Sequence, residues 1–157
     1  MLEKILVPLD GSRVGESALP CVEELVAKLV PHHRVEVILF QSVIGMAYYL
    51  VAGEASVPVR LTDKELQSVK QKAKRYLDKI ALGLRAKGAT VKVRVGVGDA
   101  AEAILQAAQE TGAGLIAMST HGRSGLSRWA LGSVTDRVLR AGVVPLLTVR
   151  ATRGEED

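Results

Sequence analysis

Three features of the sequence predict an α/β fold: an open, mainly parallel five-stranded sheet with helices on both faces, Rossmann-like. Strand-length apolar runs alternate with stretches of helical period along the chain. Most of these segments are bounded by a turn or cap signal, as Leu9-Asp10 is by Gly11-Ser12. Runs such as Ile5-Leu6-Val7 and Leu115-Ile116-Ala117-Met118 lack polar alternation, which marks strands buried on both faces. The resulting order, βαβαβαβαβ, means a parallel sheet whose right-handed crossovers limit the topology, and the strand order expected is 3-2-1-4-5. A chain of 157 residues suits one domain. That domain is expected over 1–150, with a charged, disordered tail over 151–157.

Strand 1 is Ile5 to Asp10. A helical period follows through Ala18, Val22, Leu25, Val26 and Leu29, with Ser12 placed as N-cap. Pro20 should kink or delay this helix and Pro31 should end it. Strand 2 is Val35 to Val43. The stretch Ile44–Leu61 holds Gly45, Gly53 and Pro58 and is expected as a long loop or a short irregular helix capping a sheet edge. Thr62-Asp63-Lys64-Glu65 is a capping box opening a helix with Leu66, Val69, Ala73, Leu77, Ile80 and Leu84 inward, closed by Gly88. Strand 3 is Thr90–Val95. Asp99 caps the next helix, with Ile104, Ala107 and Ala108 inward. Leu115–Ser119 is strand 4; Val134, Val138 and Leu139 mark the last helix; Val144–Val149 is strand 5. Pro145 places that strand at an edge, or itself at the strand's start.

Composition narrows the function. No apolar stretch approaches the ~20 residues of a membrane-spanning helix, no signal peptide is visible, and one cysteine, Cys21, makes no internal disulfide. A reducing, cytoplasmic location is expected. The net charge of +4 favours anionic partners weakly, and 3% aromatics are too few for a nucleic-acid stacking platform. Lys70, Lys72, Lys74 and Arg75 are read as a solvated helix face.

Chemistry concentrates in Ser119 to Ser133. The glycines Gly122, Gly125 and Gly132 let backbone N–H groups approach an anion, Gly132-Ser133 opens the last helix, Ser133 and Thr135 bring hydroxyls, and Arg123 and Arg128 bring charge. This is a phosphate cradle without the lysine of a Walker A loop. Gly96-Val97-Gly98-Asp99-Ala100-Ala101 fits G-x-G-x-x-A but follows the third strand, and is better read as a strand-to-helix turn. No G-x-S-x-G elbow occurs, and His32, His33, His121 and Cys21 do not cluster as metal ligands. His121 either shapes the loop and touches a ligand or pairs with Asp10 as a base. Asp10 either binds its own turn or, beside a nucleotide crevice, accepts from ribose or helps hold Mg²⁺. If strand 1 lies beside strand 4, that crevice lies between Asp10 and the loop after Ser119.

Here the sequence resembles the universal stress protein family. The resemblance runs through Ile5-Leu6-Val7-Pro8-Leu9-Asp10-Gly11-Ser12, Gly98-Asp99-Ala100-Ala101-Glu102-Ala103-Ile104 and Met118 to Val149. Its most specific part is the nucleotide motif G-x-x-G-x(9)-G-[S/T]: Gly122, nine residues, Gly132, Ser133, with Ser119 in place of the first glycine. The resemblance implies binding of ATP or AMP, with or without Mg²⁺, and no dedicated catalytic residue. It implies that Pro8, Leu9, Ser42 and Val43 line the adenine and ribose pocket and that Asp10 contacts the ribose or a phosphate-bound metal. Met118 and Ser119 would form the base. Gly122, Arg123, Gly132 and Ser133 would hold phosphates beside Val134 and Thr135. It also implies a homodimer through Val144–Val149, pairing an edge strand in trans. A stress-response or signalling switch is expected; a slow ATPase and a nucleotide-free dimeric scaffold are the alternatives, and the protein partner is unnamed.

Overall fold

The computed structural model describes residues 3–51, 55–120 and 131–151. In chain order these form β1 (Lys4–Pro8), α1 (Arg13–Glu16), α2 (Leu19–Leu29), β2 (Glu36–Val43), β3 (Met46–Val51), β4 (Ala55–Arg60), α3 (Asp63–Ala86), β5 (Thr90–Val97), α4 (Ala100–Thr111), β6 (Leu115–Thr120), α5 (Ser133–Ala141) and β7 (Leu146–Arg150). The sheet order is β5-β2-β1-β6-β7, with every pairing parallel. This is the expected 3-2-1-4-5 once the two extra strands are set aside.

The period-2 pleat divides the core into two layers. Ile5 and Val7 of β1, with Val37 and Leu39 of β2, pack against Val22 and Val26 of α2 and Leu77, Ala81 and Leu84 of α3. Leu6, Ile38 and Phe40 face the other way, onto Ile104, Ala107 and Ala108 of α4 and Val138 of α5. Each fully buried large side chain contributes roughly 1.5–3 kcal/mol. The middle of each central strand is therefore apolar on both faces, through Ile5–Val7 in β1, Val37–Phe40 in β2 and Leu115–Met118 in β6, as the uninterrupted runs imply.

The capping box forms as expected. Thr62 Oγ1 accepts from the Glu65 N–H at 3.3 Å, and Glu65 Oε2 accepts from the Thr62 N–H at 2.8 Å. The helix it opens reaches Ala86 before Gly88 turns at φ 91°. Its first turns differ from expectation: Val69 is exposed and Leu66 only partly buried, because burial starts at Ala73. Lys72, Lys74 and Arg75 are exposed, while Lys70 is half-buried.

Pro20 does break the first helix, separating the single turn α1 from α2. On α5 the inner face is set by Thr135 and Val138 at i, i+3, and Leu139 is exposed. Strand 5 starts after Pro145, whose carbonyl accepts from the Ile116 N–H. Ala151, assigned to the tail by sequence, is buried, and its N–H donates to the Thr120 carbonyl.

The largest correction concerns Ile44–Leu61. Its described residues are chiefly an antiparallel pair, β3 with β4, with Met46 opposite Arg60 and Tyr48 opposite Pro58. The aromatic and β-branched residues Tyr48, Tyr49, Val51, Val57 and Val59 favour strand. In a two-stranded sheet each strand has an open edge, so Pro58 can sit in β4 without costing a ladder bond.

Candidate functional site

A cleft of about 190 Å³ opens beyond the carboxyl ends of β1 and β6. Its position follows from topology. The chain leaves β1 toward β2 on one side and returns to β6 on the other, so the strand order reverses between them. Pro8, Leu9, Met118 and Ser119 line it at the strand ends, with Phe40 and Ser42 from β2. Asp10 contributes from the β1–α1 turn, Gly15 from α1, Ala100 and Ile104 from α4, and Gly132, Ser133, Val134 and Thr135 from the start of α5.

Helices that follow parallel strands present their N-termini here. α4 is capped by Asp99, whose Oδ1 accepts from the Glu102 N–H at 3.1 Å. α5 starts from Gly132, which has no side chain to cap it. The first-turn N–H groups and the positive dipole end of a helix suit an anion.

The turn after β1 is built by three short polar links. Asp10 Oδ1 accepts from the Ser12 N–H at 2.9 Å and from Ser12 Oγ at 2.6 Å. Ser12 Oγ accepts from the Gly15 N–H at 3.0 Å, capping α1 as its sequence position implies. The first of the two readings of Asp10 is thus realised: its side chain closes its own turn while still lining the cleft. A Cβ on Gly15 would stand 2.4 Å from Asp10 Oδ1, so glycine is required for this close approach.

Ser119 also has a defined place. Its hydroxyl accepts from the Ala18 N–H at 2.9 Å and donates to the Gly15 carbonyl at 2.9 Å. Its own carbonyl accepts from Thr135 Oγ1 at 3.4 Å. Thr135 is 2% exposed, so its hydroxyl serves β6 rather than standing open in the cleft. Ser42 Oγ donates to the Gly98 carbonyl at 2.9 Å, which holds the β5–α4 turn at the rim. Gly98 has φ 124°, so the G-x-G segment is the strand-to-helix turn that its position in the sequence implies.

Two contacts outside the cleft hold its walls. Arg137 of α5 donates to Asp99 Oδ2 at 2.8 Å and approaches Glu102 Oε1 at 3.7 Å, joining the first turns of α4 and α5. The Arg137 guanidinium, aided by the Glu102 amide, holds the Asp99 carboxyl below its ordinary range. On the opposite side Tyr76 of α3 donates to Glu16 Oε1 of α1 at 2.8 Å. Burial, followed by the Glu16 carboxylate, pushes the Tyr76 hydroxyl well above its ordinary value, so it stays a donor.

Of the residues singled out from sequence, Pro8, Leu9, Asp10, Ser42, Met118, Ser119, Gly132, Ser133, Val134 and Thr135 meet at this cleft. Val43 does not line it. It is buried at the end of β2, and its carbonyl accepts from the Gly98 N–H at 3.0 Å. His121, Gly122, Arg123 and Gly125 lie outside the described residues. Sequence reasoning missed Gly15, Phe40, Ala100 and Ile104 as lining residues. The Asp99 cap was a usable signal for the two on α4, because it places a helix start at the carboxyl end of the sheet. No signal marked Phe40, which enters by register: it lies opposite Pro8.

Three groups of similar proteins bear on this geometry. A family model described as the universal stress protein family matches residues 1–150. The universal stress protein YxiE of Bacillus subtilis is 31% identical, over 96% of this chain and all of its own. The universal stress protein MJ0577 of Methanocaldococcus jannaschii is 30% identical over 96% of each chain. Among solved structures, a universal stress protein family protein from Arabidopsis thaliana with AMP bound aligns at TM-score 0.64 and 14% identity, covering 98% of this chain and 95% of its own. One from Archaeoglobus fulgidus in complex with dAMP aligns at TM-score 0.60 and 20% identity, covering 94% and 98%. Another in complex with cAMP aligns at TM-score 0.62 and 20% identity, covering 96% and 98%. The match of the family model over residues 1–150 and the relatives at 30–31% identity show that the chain belongs to the universal stress protein family.

Proposed function

We propose that this protein binds an adenine nucleotide, ATP or AMP, in the cleft between β1 and β6 and acts as a nucleotide-dependent dimeric switch in a stress or signalling response. The observation that carries the reading is the division of the cleft wall. Pro8, Leu9, Phe40, Ile104, Met118 and Val134 give an apolar surface for a base. Gly132 and Ser133 give the α5 N-terminus for a phosphate, and Asp10 gives a carboxylate acceptor. The AMP, dAMP and cAMP complexes of structurally similar proteins support the same ligand class.

Within this reading the residues have separate tasks. The apolar strand ends exclude water from the base. The Gly132–Ser133 start of α5 neutralises phosphate charge. A bare carboxylate repels phosphate, so Asp10 suits a ribose hydroxyl, which donates to it; a Mg²⁺ ion travelling with ATP would let it face the phosphates instead. Ser42 holds the rim through Gly98. Arg123, Gly122, Gly125 and His121 complete the phosphate side in the proposal. Dimerisation is proposed through β7, the last strand of the sheet order, whose outer edge offers backbone groups to a second copy.

The test is direct. Purified protein is denatured and its extract run on an anion-exchange column, and nucleotide-free protein is titrated with ATP and AMP by calorimetry. Co-purifying or titratable nucleotide, lost in Gly132→Val with the fold intact by circular dichroism, is the expected result. An empty extract and no heat would leave the nucleotide-free dimeric scaffold. Release of ADP and phosphate over hours would add slow hydrolysis.

A further inference from the structure

We infer that Ser119 is a positioning residue of the cleft, whose hydroxyl fixes the Gly15–Asp10 wall against the end of β6. The inference rests on the nucleotide reading above and concerns how the site is built. The break between α1 and α2 frees backbone groups that an unbroken helix would pair internally: the Gly15 carbonyl at its end and the Ala18 N–H at the next start. Ser119 satisfies both with one hydroxyl, donating to the first and accepting from the second, each at 2.9 Å. A glycine at 119 offers neither bond. The two partners lie 104 and 101 residues away in sequence, so this is a tertiary tie and not a local turn.

The direction of the side chain explains why serine fits a position where the family motif has glycine. Side chains alternate along β6. Ala117 packs in the layer toward α2 and α3, and Met118 in the layer toward α4 and α5. Ser119 shares the face of Ala117, and its hydroxyl ends on the α1–α2 break. The added Cβ therefore does not project toward the Gly132–Ser133 start of α5.

The tie reaches Asp10 through a short path. Gly15 N–H donates to Ser12 Oγ, and Ser12 Oγ donates to Asp10 Oδ1. Gly15 itself sits so close to that carboxylate that a Cβ would stand 2.4 Å from it. Fixing the Gly15 carbonyl thus fixes where the carboxylate stands, and freeing it lets the wall move.

The test combines binding with amide exchange. Wild type, Ser119→Ala, Ser119→Thr, Asp10→Ala and the Ser119→Ala/Asp10→Ala double variant are titrated with AMP by calorimetry, and exchange of the Ala18 amide is followed by NMR. Ser119→Ala is expected to bind about tenfold more weakly and to expose the Ala18 amide, while Ser119→Thr keeps both affinity and protection. Ser119→Ala should cost nothing further in the Asp10→Ala background, because the hydroxyl acts through that side chain. If Ser119→Ala fails to fold, Ser119→Cys, close in size but a weak donor and acceptor, replaces it. Wild-type binding with Ser119→Ala equally tight, or with losses that simply add, overturns the positioning role alone. No binding by wild type overturns the nucleotide reading and this inference with it.

Discussion

Arg137 of α5 donates to the carboxylate of Asp99, the N-cap of α4, at 2.8 Å. One carboxylate therefore serves two tasks, capping a helix through Oδ1 and fastening the neighbouring helix through Oδ2. The bond to Arg137 needs it ionised, and the cap is stronger when it is. Its folded-state pKa lies below the ordinary value of about 4. The stabilisation is therefore present above about pH 4 and lost as pH falls through the lower folded value. Asp99→Asn should shrink the fall in urea midpoint between about pH 5 and pH 2. An unchanged acid limb would show that the pair contributes nothing.

Gly15→Ala separates binding from stability. A Cβ there meets Asp10 Oδ1 at 2.4 Å and must push the carboxylate off Ser12. Helix propensity favours alanine over glycine by up to about 1 kcal/mol. Stability should thus shift by less than about 1 kcal/mol while AMP affinity drops about tenfold. Paired chemical unfolding and calorimetry check both halves.

Gly96→Ala tests the second core layer. The new Cβ would lie 2.7 Å from Phe40 Cζ, and Phe40 is only 2% exposed. Overpacking of this kind costs roughly 1–3 kcal/mol. Because Phe40 also lines the cleft, the loss should appear in both the unfolding midpoint and the nucleotide affinity.

Thr62→Ala removes the side chain that accepts from the Glu65 amide and so opens the capping box. The expected cost is about 1 kcal/mol, with Thr62→Ser recovering most of it. Nucleotide affinity should not change, since Thr62 does not line the cleft. A denaturant melt of the three proteins decides it.

The elements legible in the sequence are those whose signal is local. The Thr62–Glu65 box, the Asp99 and Ser12 caps and the Pro20 break each involve residues within a few positions of one another, and each appears as read. The antiparallel pair β3 with β4 was not legible, because Pro58 reads as a breaker unless the strand is known to have an open edge. The exposure of Val69 has a related cause. Helical period gives a stripe, but the neighbouring sheet decides which part of that stripe is covered.

The candidate site divides the same way. Its chemistry was carried by the sequence: a small-residue loop before a helix start, an acid after a buried strand, and family motifs at matching spacing. How those side chains are used depends on contacts made across the fold. Ser119 turns to the α1–α2 break, Thr135 to the Ser119 carbonyl and Val43 into the interior, while Phe40, Ile104, Ala100 and Gly15 enter the wall. Which segments become the strands of the main sheet and the helices beside it can be read along the chain, since apolar period and capping act over short distances. Which side chain meets which across the cleft was set by the parallel register, β1 against β2 and β6. That register brings together residues about a hundred positions apart, and no local pattern encodes such a meeting.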